Sequence, residues 1–111
     1  MEQTKELSFE FEGTQYTLAF TRRTVRLMEQ NGFSPDMVTS KPAIGIPMLF
    51  KGAFIAKNKW VKDDTKDRIY ESLVNKDELI SKLLQMYSEP INAMFDEPED
   101  DGKKVKWEVN F

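Results

Sequence analysis

Two alternating runs meet at a glycine in 7-LSFEFEGTQYTLAF-20, and no other feature constrains the fold of this chain as strongly. Leu7, Phe9 and Phe11 interleave with Ser8, Glu10 and Glu12; Tyr16, Leu18 and Phe20 interleave with Thr17 and Ala19. Side chains on a strand repeat every two residues, so each run collects its apolar groups on one face. The pattern predicts a β-hairpin. A turn at Gly13-Thr14, glycine first, fits type II′. It pairs Phe11 with Tyr16, Phe9 with Leu18 and Leu7 with Phe20, with Glu10 against Thr17 and Glu12 against Gln15 on the wet face. An isolated hairpin is marginal in water, so its greasy face needs a cover from the rest of the chain.

Helical signals follow. Thr21 is placed to cap a helix over 22-RRTVRLMEQ-30, with Val25, Met28 and Leu27 as its apolar stripe and Asn31-Gly32 as its stop. Ser34-Pro35 predicts a short turn of helix over 35–40, and 39-TSKPAIG-45 reads as a loop. Pro47 suits the first turn of a second helix that ends near 58–60. A third begins near Thr65, with Ile69, Tyr70, Leu73 and Val74 on one face. Asn75 and Glu78 have the spacing of a capping box. They open a fourth helix carrying Leu79, Ile80, Leu83, Leu84 and Tyr87, which Pro90 interrupts before one more turn over 91–95. The acidic stretch 96-DEPEDDG-102 reads as a solvated loop. In 103-KKVKWEVNF-111, Val105, Trp107, Val109 and Phe111 alternate with Lys106, Glu108 and Asn110, a strand pattern. The expected architecture is α+β: an N-terminal hairpin plus a C-terminal strand in a three-stranded antiparallel sheet, covered by about four helices. With 111 residues, a single domain over 1–111 is expected.

Composition narrows the chemistry. There is neither cysteine nor histidine, which excludes disulfides, thiolate nucleophiles and the commonest general base and metal ligand. Asp63, Asp64 and Asp67 sit where carboxylates complement a helix N-terminus. Asp96, Glu97, Glu99, Asp100 and Asp101 lack the spacing of a calcium loop. No phosphate-binding, dinucleotide or nucleophile-elbow motif is present. The expectation is a protein that is not an enzyme and holds no cofactor or metal. A net charge of −3 disfavours nucleic acid and anionic membranes. Two basic clusters, Arg22, Arg23 and Arg26, and Lys51, Lys57, Lys59 and Lys62 around Trp60, leave a small nucleic-acid-binding regulator as a rival. The start MEQTKELSFEFEG has no leader pattern, and no apolar run spans a bilayer, so the expected location is the cytoplasm.

One apolar run stands out: 46-IPMLFKGAFIAKNKW-60. On a helical wheel Leu49, Ala53, Ala56 and Trp60 share the natural core side. Phe50 and Phe54 flank it, and Met48 and Ile55 fall in the polar sector. A helix apolar all round is usually buried all round. The contrasting reading leaves Met48, Phe50, Phe54, Ile55 and Trp60 as a surface for a partner or for self-association.

Several stretches together resemble one family. These are 9-FEFEGTQYTLAFTRRTVRLMEQNGF-33, 49-LFKGAFIAKN-58, 79-LISKLLQMYSEPINAM-94 and the terminal KWEVNF. They resemble the small tail assembly chaperones of siphophages and prophages of Gram-positive bacteria. The most specific part is the hairpin followed by F-T-R-x-T-V-x-x-M-E-x-x-G-F, which starts at Phe20. The resemblance implies a non-enzymatic assembly factor of the host bacterial cytoplasm. Such a factor coats the tape measure protein while the tail tube (major tail) protein polymerises around it, and is absent from the mature virion. It also implies that such genes often yield a longer frameshifted product. A structural minor tail or head–tail joining protein of the virion is the nearest alternative.

Overall fold

The computed structural model describes residues 5–111. Residues 1–4, the start of the segment expected to lack a leader, lie outside the described residues. Strands β1 (Glu6–Phe11) and β2 (Thr14–Ala19) form an antiparallel hairpin. Six helices follow: α1 (Arg22–Gln30), α2 (Met37–Ser40), α3 (Pro42–Gly52), α4 (Ile55–Asn58), α5 (Asp63–Ser72) and α6 (Lys76–Ala93). The architecture is α+β, as the sequence predicts, but the sheet has two strands rather than three. Residues 105–111 belong to neither strand of the sheet and to no helix.

The hairpin turns one residue earlier than Gly13-Thr14. Glu12 (φ 50°) and Gly13 (φ 79°) are its central residues, and both have the positive φ of a type I′ turn. The register therefore shifts by two: Phe11 faces Thr14, Phe9 faces Tyr16 and Leu7 faces Leu18. A shift of two preserves the faces. Phe9 and Tyr16 stack at 5.6 Å, and Ser8 and Thr17 share a hydroxyl contact on the wet side. A left-handed Glu12 is unfavourable on its own. Its carboxylate is held by Arg68 of α5 at 3.1 Å, and the same guanidinium lies over the Phe11 ring.

Helix α1 begins and ends as its residues dictate. Thr21 accepts from the Thr24 N–H while the Thr21 N–H donates to Oγ1 of Thr24, a reciprocal cap. At the other end Gly32 (φ 93°) donates to the Glu29 carbonyl and Phe33 to the Met28 carbonyl, a Schellman closure. Phe33 and Met28 are both buried beside it.

The stretch expected as a loop over 39–45 is mostly helix. Pro42 occupies the first turn of α3, and the Pro47 assigned to that role lies inside the helix. Pro47 has no N–H to donate to the Ala43 carbonyl, so α3 lacks that one backbone bond. Asn75 makes no capping bond and adopts a left-handed conformation instead. Helix α6 also runs through Pro90 without the predicted interruption.

The core lies where the apolar face of β2 meets α1, α3, α5 and α6. Leu18, Phe20, Leu49, Phe54, Ile69 and Leu83 are fully enclosed. Tyr87 of α6 sits edge-on to both Phe20 (5.4 Å) and Phe33 (5.2 Å). Such edge-to-face contacts add to the area they bury.

Gly45 lets α2 and α3 close on each other: a Cβ there would overlap the Met37 carbonyl. Gly45→Ala should lower stability by about 2 kcal/mol, because backbone must move to make room. Gly52→Ala meets only the flexible end of Met28 and should cost less. Urea unfolding of the two variants beside the parent gives the comparison.

Candidate functional site

The apolar run over 46–60 is not one helix. It is broken between α3 and α4, and the break has an identifiable cause. Ala53 and Phe54 tighten to bonds with Phe50 and Lys51, three residues back, and the Ala53 carbonyl turns to the sheet. There it accepts from the Ala19 N–H at 3.0 Å. One turn on, Oδ1 of Asn58 accepts from the Thr17 N–H at 2.9 Å. Both donors lie on the outer edge of β2. The break in the helix thus seals that edge.

The break also redistributes the five residues considered for partner binding. Phe54 (0% exposed) packs edge-on against Phe50 and Tyr16, and Phe50 is 2% exposed. Both are core, which corrects the reading that offers them to a partner. Met48 and Ile55 are half-buried. Trp60 is 65% exposed and stacks on Tyr16 at 6.1 Å, although the wheel put it on the core side. A wheel drawn through an unbroken helix cannot see the offset introduced at 53–54.

A small cleft of about 230 Å³ lies between α3 and α5, walled by Ile46, Pro47, Phe50 and Tyr70. Lys51 and Asp67 pair across its mouth at 3.2 Å. Asp63 and Asp64 sit in the first turn of α5, as expected for carboxylates that complement a helix start. Of the basic residues, Lys57 pairs with Glu6 at 3.5 Å and Lys51 with two aspartates. These cations are committed to neighbours within the chain. Among the described residues, no group of carboxylates is close enough to hold a metal ion, and no helix is long and apolar enough to cross a membrane.

Two tyrosines have raised pKa values. For Tyr70 burial leads, with the negative charge of Asp77 second. Tyr87 is pushed up to about 12 by burial, then by Glu29. Its hydroxyl is enclosed and finds no hydrogen-bond partner among the described residues.

The apolar surface left outside the core is concentrated elsewhere. Beyond α6, Met94 and Phe95 are exposed, and so are Val105, Trp107, Val109 and Phe111. The site residue missed in sequence is Phe95, assigned to a helical turn over 91–95. The alternation in 105–111 did mark an apolar strand face, but not that it would stay uncovered.

The chain belongs to the DUF5055 family, a domain of unknown function, whose sequence model matches residues 1–111. No curated protein and no solved structure matches the chain.

Two variants separate core from surface in the 46–60 run. Phe54→Asp should abolish cooperative folding, since it buries an unpaired charge. Trp60→Asp should cost about 1 kcal/mol, the scale of one exposed aromatic stack. Thermal melts followed by circular dichroism distinguish the two. Tyr87→Phe should raise stability at neutral pH by about 1 kcal/mol by removing an unsatisfied buried hydroxyl. It should also change the alkaline behaviour. The folded pKa of Tyr87, about 12, lies above the ordinary tyrosine value of 10.0. Its neutral form therefore favours the native state, fully below pH ~10 and progressively less as pH rises towards ~12. Unfolding measured across that window should show a smaller loss for Tyr87→Phe than for the parent.

Proposed function

We propose that this member of a family of unknown function is a non-enzymatic tail assembly chaperone of a phage or prophage. In this role it binds the tape measure protein in the host cytoplasm while the tail tube protein assembles around it. The observation that carries the reading is the apolar surface that a well-packed domain leaves outside. Phe95 is 83% exposed and Trp107 81%, while the core beneath is closed. Apolar patches of this kind mark protein-binding surfaces. A client that is long, helical and apolar needs such surfaces along its length. The sequence supports the same role through its resemblance over the hairpin, α1 and α6. The paired lysines of the 51–62 segment and the net charge of −3 weigh against the nucleic-acid reading.

The test is co-expression with the long apolar tape measure protein. A soluble complex should form, and Phe95→Asp should abolish it without changing the melting temperature of the isolated domain. Failure to form a complex would overturn the proposal. So would stoichiometric copies of the chain in purified mature particles, the result expected of a structural virion protein.

A further inference from the structure

The two edges of the hairpin differ. On β2, Thr17 and Ala19 send their N–H groups to Asn58 and Ala53, away from β1. Their partners across the ladder, Ser8 and Glu6, therefore occupy positions whose backbone groups point away from β2, and so does Glu10. Among the described residues these outward groups of β1 have no backbone partner. Leu7, Phe9 and Phe11, on the apolar face of the same strand, are only half-buried. The sheet is thus open along β1, where a further strand would complete both the ladder and the cover of its apolar face.

The chain also carries a strand-patterned segment with no sheet. Residues 104–111 are exposed and lie in no helix or strand. The molecule measures 55 × 31 × 24 Å with a radius of gyration of 16.8 Å. A compact chain of this length would give roughly 13 Å. The tail stands off the body.

We propose that residues 105–111 of one copy add as an antiparallel strand to the open edge of β1 in a second copy. Place Trp107 opposite Phe9. Val109 then meets Leu7 and Val105 meets Phe11 on the apolar face. On the wet face Lys106 meets Glu10, Glu108 meets Ser8 and Asn110 meets Glu6. Val105, Trp107 and Val109 each face an apolar residue, and the one pair of facing charges, Lys106 and Glu10, is opposite in sign. The parallel arrangement with the same central pair would set Glu108 against Glu10, a like-charge contact that disfavours it.

The tail is not paired with its own hairpin. Glu89 of α6 pairs with Lys5 at 2.9 Å, so α6 passes the start of β1. The antiparallel tail must begin at the other end, beside the turn, roughly 24 Å away for seven strand residues. Within one chain the connection over 94–104 would have to cover this distance, whereas a tail from a second copy need not. This pairing involves the chain alone and is independent of the client.

Sedimentation of the full chain at increasing concentration provides the test. Species of two or more copies should appear, and Trp107→Asp should return the chain to a single copy with an unchanged melting temperature. Glu10→Lys and Lys106→Glu should each weaken association roughly fivefold, and the double variant should restore it. A chain that stays single up to its solubility limit overturns the proposal. So does association that survives Trp107→Asp or ignores both charge reversals. Loss of self-association would leave client binding, read through Phe95, standing or falling separately.

Discussion

Two hydrogen bonds organise this domain: Ala19 N–H to the Ala53 carbonyl, and Thr17 N–H to Asn58 Oδ1. A hairpin has two edges, and each unpaired amide on an edge is costly to bury. Here one edge is satisfied by a helix that gives up its own continuity. The carbonyl released at Ala53 is what the strand needs, and Asn58 supplies a side-chain oxygen one turn later. Once α3 and α4 lie along β2, Phe54 falls between Tyr16 and Phe50, and α5 brings Arg68 to the hairpin turn. The packing of the helices over the sheet follows from that seam.

The arrangement also separates what is rigid from what is offered. The core runs from β2 through Leu49, Phe54 and Ile69 to Leu83 and Tyr87, and it is closed. The apolar groups outside it are concentrated beyond α6, in a stretch with no regular partner. A domain that merely needed stability would have tucked Phe95 and Trp107 in, since burying a large aromatic side chain is worth about 2–3 kcal/mol. Leaving them out makes sense if their partner is another molecule.

Local pattern revealed much of this, and the misses share a cause. Alternation identified both strands of the hairpin and their faces. The register slipped because Gly13 was read as the first turn residue, whereas the left-handed Glu12 is supported by Arg68, 56 residues away. The cap and stop of α1 were legible because Thr21, Thr24 and Gly32 act within one turn. The break at 53–54 was not, because its cause is a strand amide more than thirty residues earlier. That single omission carried Phe50 and Phe54 to the surface and Trp60 to the core. The C-terminal alternation predicted a third strand, but the structure forms no strand over 104–111, because a strand's partner is not written in its own residues.

Both tryptophans of the chain, Trp60 and Trp107, ended up outside the core, one on a stack with Tyr16 and one on the tail. The interior aromatics are phenylalanine and tyrosine. The indole emission of this protein therefore originates at its surface: it is nearly blind to the interior and sensitive to whatever covers the two rings.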